Sequence, residues 1–268
     1  TLQIYHLTLI LQEIEFSFPV IAHHKSIHAE LLHIGHFLFF IFCLGCGRAS
    51  EQLDPWLCSA CREELAREAL AYSFPSPDAM CMFPVRPLTR RLVHALKYRG
   101  LPGMASYLVR RSTAVKGGEI AQSMALLARP FYFVPVPLHS SRFRERGYNQ
   151  AQKIAAALAT CTGGRVCNWL SRTNFRVSQT KLSREERGYN VAGAFEPKLP
   201  RNMPSRGTIF VVDDVYTTGA TTGACVHALR RGTELDTKVC TLLYDEPVSA
   251  TMDFVADCRM EWDGNYGD

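Results

Sequence analysis

Between Thr208 and Val212 the chain reads TIFVV, a β-branched and aromatic run without polar alternation, as expected of a central parallel strand covered on both faces. Helical spacing follows from Ala220 to Arg231, and Thr237 to Tyr244 predicts the next strand. Upstream, Phe131 to Pro135 is a short apolar run ending in prolines, Ser141 to Thr160 has alanine-rich helical spacing, and Arg165 to Leu170 is compatible with a strand. Leu92 to Tyr107 predicts a helix in two pieces, interrupted at Gly100 to Gly103. Strands alternating with helices imply an α/β domain with a doubly wound parallel sheet. Before it, Arg62 to Tyr72 has the charged, alanine-rich look of a helix that Pro75 and Pro77 cannot continue, so a boundary is expected near Ser73 to Asp78. The expected organisation is an extension of no assigned role over 1–42, a cysteine module with its helix over 43–72, the α/β domain over 79–245, and a polar tail over 246–268.

Composition supports this division and narrows the partners. A chain of 268 residues that is 47% hydrophobic has material for a full domain and a small accessory module. The net charge of +5 is spread along the chain, and the sequence shows no basic-aromatic stripe, so direct DNA binding is the weakest of the readings considered. The longest apolar run, Phe37 to Leu44, falls well short of the ~20 residues a membrane helix needs, and a cytoplasmic location is expected. The first forty residues carry His6, His23, His24, His28, His33 and His36 but no assignable motif. A surplus extension or unstructured arm is the plain reading, and a histidine-rich metal arm the sharper one.

Cys43, Cys46, Cys58 and Cys61 form two C-x-x-C turns, which can present four thiolates to one tetrahedral zinc ion and so fold a module with little core. Disulfides or a redox pair are the alternatives. Cys81, Cys161, Cys167, Cys225 and Cys240 sit in apolar or mixed surroundings and are expected in the core, and Cys258 has no role.

The densest chemistry follows the strand at 208–212. Asp213 and Asp214 lead to Thr217, Thr218, Gly219, Ala220, Thr221 and Thr222, which open a helix. In open α/β sheets ligands bind beyond the carboxyl ends of the strands. A glycine that admits close approach, hydroxyl donors and a helix N-terminus suit a phosphate. Two acids beside it suit vicinal hydroxyls, with or without a divalent cation.

This segment resembles the phosphoribosyl pyrophosphate (PRPP) motif of type I phosphoribosyltransferases. With the four cysteines, LKYRG at Leu96 to Gly100, VPVPLHSSRFRERGYNQA at Val134 to Ala151 and SQTKLSREERGYNVAGAF at Ser178 to Phe195, the chain resembles the ComF family of bacterial competence-associated proteins from Cys43 to Tyr244. The resemblance implies that Asp213 and Asp214 bind the ribose 2′ and 3′ hydroxyls. Thr217, Thr218, Gly219, Ala220 and Thr221 would take the 5′-phosphate. Val136, Pro137, Leu138 and His139 would form a pyrophosphate loop, with Ser140 and Arg142 nearby. Arg172 to Asn190, with Gln179, Lys181, Arg184 and Arg187, would be a mobile loop over the ligand, and Arg187 would join the two acids in catalysis. His139 is either a general acid or a surface histidine, and Tyr216 would orient the phosphate loop. The repeated RGYN, at Arg146 to Asn149 and Arg187 to Asn190, does not establish duplication.

The implied cofactors are Mg²⁺ with PRPP and structural Zn²⁺. The implied activity transfers ribose 5-phosphate to a base or amine with release of pyrophosphate. The acceptor pocket would lie in a hood formed by Met80 to Gly103. A non-catalytic PRPP or nucleotide sensor and a DNA-uptake accessory that docks on a helicase or single-stranded DNA are the competing readings.

Overall fold

The protein is described here from a computed structural model over residues 41–50, 52–70, 78–173 and 193–245. Among these residues, 41–42 and 48–50 group apart from 43–47 and 52 onward. In the first group Ile41–Phe42 (β1) pairs antiparallel with Ala49–Ser50 (β2).

The second group is an α/β unit of the type I phosphoribosyltransferase-like kind. Its elements are α1 (Ser59–Leu70), β3 (Ala79–Pro84), α2 (Pro87–Tyr98), α3 (Gly103–Ala125), β4 (Phe131–Pro135), α4 (Ser140–Arg146), α5 (Gln150–Thr162), β5 (Arg165–Val166), β6 (Leu170–Arg172), β7 (Phe195–Pro197), β8 (Thr208–Tyr216), α6 (Ala220–Arg230) and β9 (Asp236–Tyr244). Five strands form one parallel sheet in the order β3-β9-β8-β4-β5. A separate antiparallel pair joins β6 to β7.

Alternation along the buried strands sorts side chains to two faces. Phe131, Phe133, Phe210 and Val212 point to one core with Met104 and Leu108 of α3 and Ile154 and Leu158 of α5. Tyr132, Val134, Ile209 and Val211 meet Ala224, Cys225 and Leu229 of α6 and Trp169 and Phe195 of the small hairpin. Each such side chain, fully buried, contributes about 1.5–3 kcal/mol. Layers on both faces explain why the strand at 208–212 shows no polar alternation.

The cysteine segment shares the first core. Leu57, Cys61 and Leu65 pack with Leu88, Leu92 and Met104, and Trp56 meets Tyr107 edge to face at 5.4 Å between ring centroids. Asp54 pairs with Arg62 at 2.8 Å and also with Arg111 of α3.

Four expectations need correction. Ala79–Pro84 is fully buried and pairs with β9, so the first part of the expected hood is a sheet strand. The expected helix from Ser141 to Thr160 is two helices, because Gly147 adopts φ 75° and ends α4, after which Asn149 caps α5 by accepting from Ala151 N–H at 3.0 Å. The expected strand over 165–170 divides between two sheets. Arg172 belongs to β6, where it pairs with Phe195 and lies over its ring, rather than to a mobile loop.

Candidate functional site

The sheet order places a topological switch between β4 and β8: from β4 the chain proceeds outward to β5, and from β8 it proceeds the other way to β9. A crevice forms at the carboxyl ends of strands that diverge in this manner. Sequence deepens it. β4 ends at Pro135 and is followed by Val136 and Pro137; after Val136 N–H donates to Val212 C=O at 2.9 Å, Pro137 has no N–H to continue the ladder. β8 runs on to Tyr216, paired with β9 alone from Asp213 onward. The acids expected beyond the strand are therefore inside its extension, on the side that β4 has left.

On the β4 side a cavity of about 560 Å³ is lined by Pro137, Leu138, His139, Ser140, Arg144 and Arg172, among others. The segment expected to meet pyrophosphate thus faces an open volume. His139 has a structural task there, since it caps α4: its Nδ1 accepts from Ser141 N–H at 3.2 Å and lies 2.7 Å from Ser141 Oγ. That favours the surface-cap reading of this histidine over a general acid. Arg172 lies within electrostatic reach of both Arg142 and Asp213, so its charge belongs to the crevice.

On the β8 side, Asp213 accepts from Asp214 N–H at 2.8 Å. Burial, and then the neighbouring Asp214 charge, push the Asp213 carboxyl up to about 7; the Asp214 amide, Lys97 and Arg172 act in the opposite sense. The Asp214 carboxylate is buried and pairs with Lys97 Nζ at 2.7 Å. Thr217, Thr218 and Ala220 are exposed and Gly219 and Thr221 half-buried, so the turn into α6 offers hydroxyls and backbone to a ligand. Gly219 has φ 75°, and a Cβ there would fall 2.1 Å from the Tyr216 hydroxyl. Tyr216 therefore shapes this turn, and only glycine fits against it.

The LKYRG segment and the first RGYN segment form one device. Arg146 Nη2 donates to the Tyr98 hydroxyl at 3.1 Å with its guanidinium 4.8 Å from the Tyr98 ring centroid, and the Tyr148 hydroxyl donates to Leu96 C=O. Asn149 Nδ2 donates to Val136 C=O at 2.9 Å. The first RGYN segment thereby staples the end of α2 to the expected pyrophosphate loop. Lys97, between Leu96 and Tyr98, is the site residue that sequence reasoning missed; its signal was a lysine inside the LKYRG motif. Gln179, Lys181, Arg184 and Arg187 lie outside the described residues.

A second feature also escaped the sequence reading. α2 exposes Arg90, Arg91, His94 and Tyr98 on one face, a helical i, i+1, i+4, i+8 spacing, and Arg90, Arg91 and His94 border, with Arg86 and Arg99, a groove of about 550 Å³. Tyr98 is 53% exposed and its ring lies 4.8 Å from that of His94. A basic face with an exposed aromatic thus exists, assembled by helix geometry from a segment whose charges look scattered in sequence.

The Sγ atoms of Cys43, Cys46, Cys58 and Cys61 all lie within 4.8 Å of one another, with Cys46 and Cys58 at 3.9 Å. Zinc–sulfur bonds of ~2.3 Å set tetrahedral sulfurs about 3.8 Å apart, so the cluster fits zinc. Burial opposes ionisation of Cys43, but hydrogen bonds from the Cys46, Cys58 and Gly45 amides outweigh it and bring the thiol down to about 7. Burial and the three other thiols push Cys61 up, a conflict that a shared cation resolves. A side chain at Gly45 would meet Cys61 Sγ and Leu88 at 2.8 Å, which accounts for glycine in CLGC. Of the cysteines expected in the core, Cys81, Cys225 and Cys240 are buried and Cys167 half-buried, but Cys161 is exposed, in the turn of α5 beyond its last buried pair, Ala157 and Leu158. Magnesium is a different case. Asp214 is already paired with Lys97 and Asp213 is only partly ionised near neutral pH, so the two acids do not make a cation site of their own.

Among the described residues, no helix is long and apolar enough to cross a membrane. No protein-family model matches the chain. It is 31% identical over 192 residues to the DNA utilization protein YhgH of Salmonella typhi, covering 70% of this chain and 72% of the relative. It is 32% identical over 106 residues to Competence protein F of Haemophilus influenzae, covering 39% and 46%, and 29% identical over 115 residues to Competence protein ComFC of Streptococcus pneumoniae, covering 43% and 49%. Since the likeness to the Salmonella protein runs through the greater part of both chains and extends to competence proteins of two other bacteria, this chain belongs to the ComF family.

Proposed function

We propose that this chain binds PRPP across the crevice between β4 and β8 and transfers its ribose 5-phosphate to a base or amine with release of pyrophosphate. The observation that supports this reading is the switch point itself: the Asp213–Asp214 pair and the Thr217–Thr221 turn lie at the end of β8, and the cavity beside Pro137 to Arg144 lies at the end of β4, the strand next to it. In this arrangement the ribose hydroxyls donate to the two acids, the turn amides and hydroxyls hold the 5′-phosphate, and Arg142, Arg144 and Arg172 face the diphosphate. The C1′–O bond breaks with its electron pair left on the diphosphate. The acceptor nitrogen supplies the new bond and loses its proton to solvent. Binding of this kind is positional and electrostatic, and no covalent nucleophile is needed. Any divalent cation would arrive on the ligand's own diphosphate.

The test is pyrophosphate release from PRPP across a panel of bases and amines. Turnover with at least one acceptor is expected. Tight binding of PRPP without release by any acceptor would instead make the chain a sensor.

A second reading has its own support: an accessory in DNA handling that contacts single-stranded nucleic acid. What favours it is the basic groove of Arg90, Arg91 and His94 on α2, with the half-exposed Tyr98 ring on the same helix face, since single strands bind on basic surfaces with aromatics nearby, and the relatives' names. Arg90→Glu with Arg91→Glu should then abolish retention of a labelled single-stranded oligonucleotide while leaving PRPP affinity unchanged.

A further inference from the structure

The Lys97–Asp214 pair raises a question that the PRPP reading does not answer. A ligand with a diphosphate and a phosphate is strongly anionic, yet the ribose end of the crevice is built from two acids. A buried carboxylate facing a polyanion costs binding energy unless a cation stands beside it. Lys97 is that cation: its Nζ lies 2.7 Å from Asp214 Oδ1, with 23% of the lysine side chain and 7% of the aspartate side chain exposed.

Its placement is fixed from three sides. Lys97 occupies the last turn of α2, where a positive charge suits the helix dipole. The residues on either side are held by the first RGYN segment, Leu96 C=O by the Tyr148 hydroxyl and the Tyr98 hydroxyl by Arg146 at 3.1 Å. Arg99 N–H closes the helix on Ala95 C=O at 3.0 Å, and Gly100 at φ 63° turns the chain away. The ammonium is therefore delivered to the acids by the same segment that follows the expected pyrophosphate loop.

We propose that Lys97 is a ligand-binding residue of this site, bridging Asp214 and the diphosphate. This rests on the PRPP reading and deepens it. An ammonium carries three donors, and the ion pair with Asp214 uses one. A carboxylate has about four acceptor positions, so Asp214 can keep Lys97 and still accept from a ribose hydroxyl. The 2′-hydroxyl sits on the carbon next to C1′, which bears the diphosphate. A cation held on one of the two acids that take the vicinal hydroxyls therefore stands near C1′, close to the oxygen where negative charge collects as the C1′–O bond breaks. Lys97 serves the empty site by neutralising Asp214 and the filled site by meeting the leaving group.

The discriminating ligand is ribose 5-phosphate, which has the sugar hydroxyls and the 5′-phosphate but no diphosphate. Lys97→Met is compared with wild type, where Asp214 still holds the ammonium, and, because Lys97→Met alone leaves a buried carboxylate unpaired, again in the Asp214→Asn background. Folding is checked by melting temperature, and affinities for both ligands are measured by calorimetry. Lys97→Met should weaken PRPP about tenfold more than ribose 5-phosphate, and Lys97→Arg should restore most of the difference. Equal losses for the two ligands, or none, would overturn the role of Lys97 while leaving the PRPP reading intact. Wild-type protein that binds neither ligand would overturn the PRPP reading and this proposal with it.

Discussion

Asp213→Asn separates a functional from a structural role because the two roles give opposite signs. Burial and the Asp214 charge raise the Asp213 carboxyl from its ordinary 3.8 to about 7 in the folded protein. A raised acid contributes stability that is fully present below the unfolded value and is lost as the pH rises through the folded one. In wild type that loss runs from about pH 4 to pH 7, as the folded protein holds a proton the unfolded chain has released. At ~1.4 kcal/mol per pH unit, the part of the loss lying between pH 5 and pH 8 amounts to roughly 2–3 kcal/mol. Asparagine keeps the acceptor for Asp214 N–H and cannot ionise. Its stability relative to wild type should therefore improve by roughly 2–3 kcal/mol on going from pH 5 to pH 8, about 5–10 °C in melting temperature for a domain of this size. Using the change between two pH values cancels any constant effect of the substitution. The assay is thermal and urea unfolding of both proteins at pH 5, 6, 7 and 8. Curves that stay parallel across that range would refute the burial argument. PRPP affinity should move the other way, falling in the variant and, in wild type, rising as the pH passes 7, because the ionised acid is the better acceptor for a ribose hydroxyl.

Three other outcomes follow from particular contacts. Gly219→Ala combines a left-handed conformation, costing about 1–2 kcal/mol, with a Cβ 2.1 Å from the Tyr216 hydroxyl; it should weaken PRPP at least about tenfold by calorimetry, and unchanged affinity would remove the turn from the site. Elemental analysis should find about one zinc per chain, and because Leu57 and Leu65 share a core with Leu88 and Met104, Cys61→Ser should lower the melting transition of the whole α/β unit rather than loosen a separate module. Tyr148→Phe removes the donor to Leu96 C=O and should cost about 1 kcal/mol in urea unfolding, with PRPP binding weakened through the displaced end of α2.

What could be read in the sequence was whatever local pattern determines. The run at 208–212 names its own environment because both faces are covered, and the acids, the glycine turn and the paired C-x-x-C motifs each carry chemistry within a few residues. What could not be read depended on partners far along the chain. Ala79–Pro84 looked like hood because AMCMFP has neither alternation nor β-branched residues, and only pairing with β9 makes it a strand. Gly147 gave no sign within an alanine-rich helical stretch that it would take φ 75° and split it. The LKYRG motif marked Lys97 but not its role, since the distance that matters is to Asp214, far along the chain and in another element. The α2 face likewise needed the helix to gather Arg90, Arg91, His94 and Tyr98 on one side.

The central claim, that the crevice at the ends of β4 and β8 is a PRPP site read by Asp213 and Asp214, is tested most directly by calorimetric titration of wild type and of the Asp213→Asn, Asp214→Asn double variant at pH 8, with and without Mg²⁺. At about 1.5–3 kcal/mol for each charge-assisted hydrogen bond, the double variant should bind PRPP at least about a hundredfold more weakly while remaining folded. Equal affinity in the two folded proteins, or no binding by wild type, would contradict it.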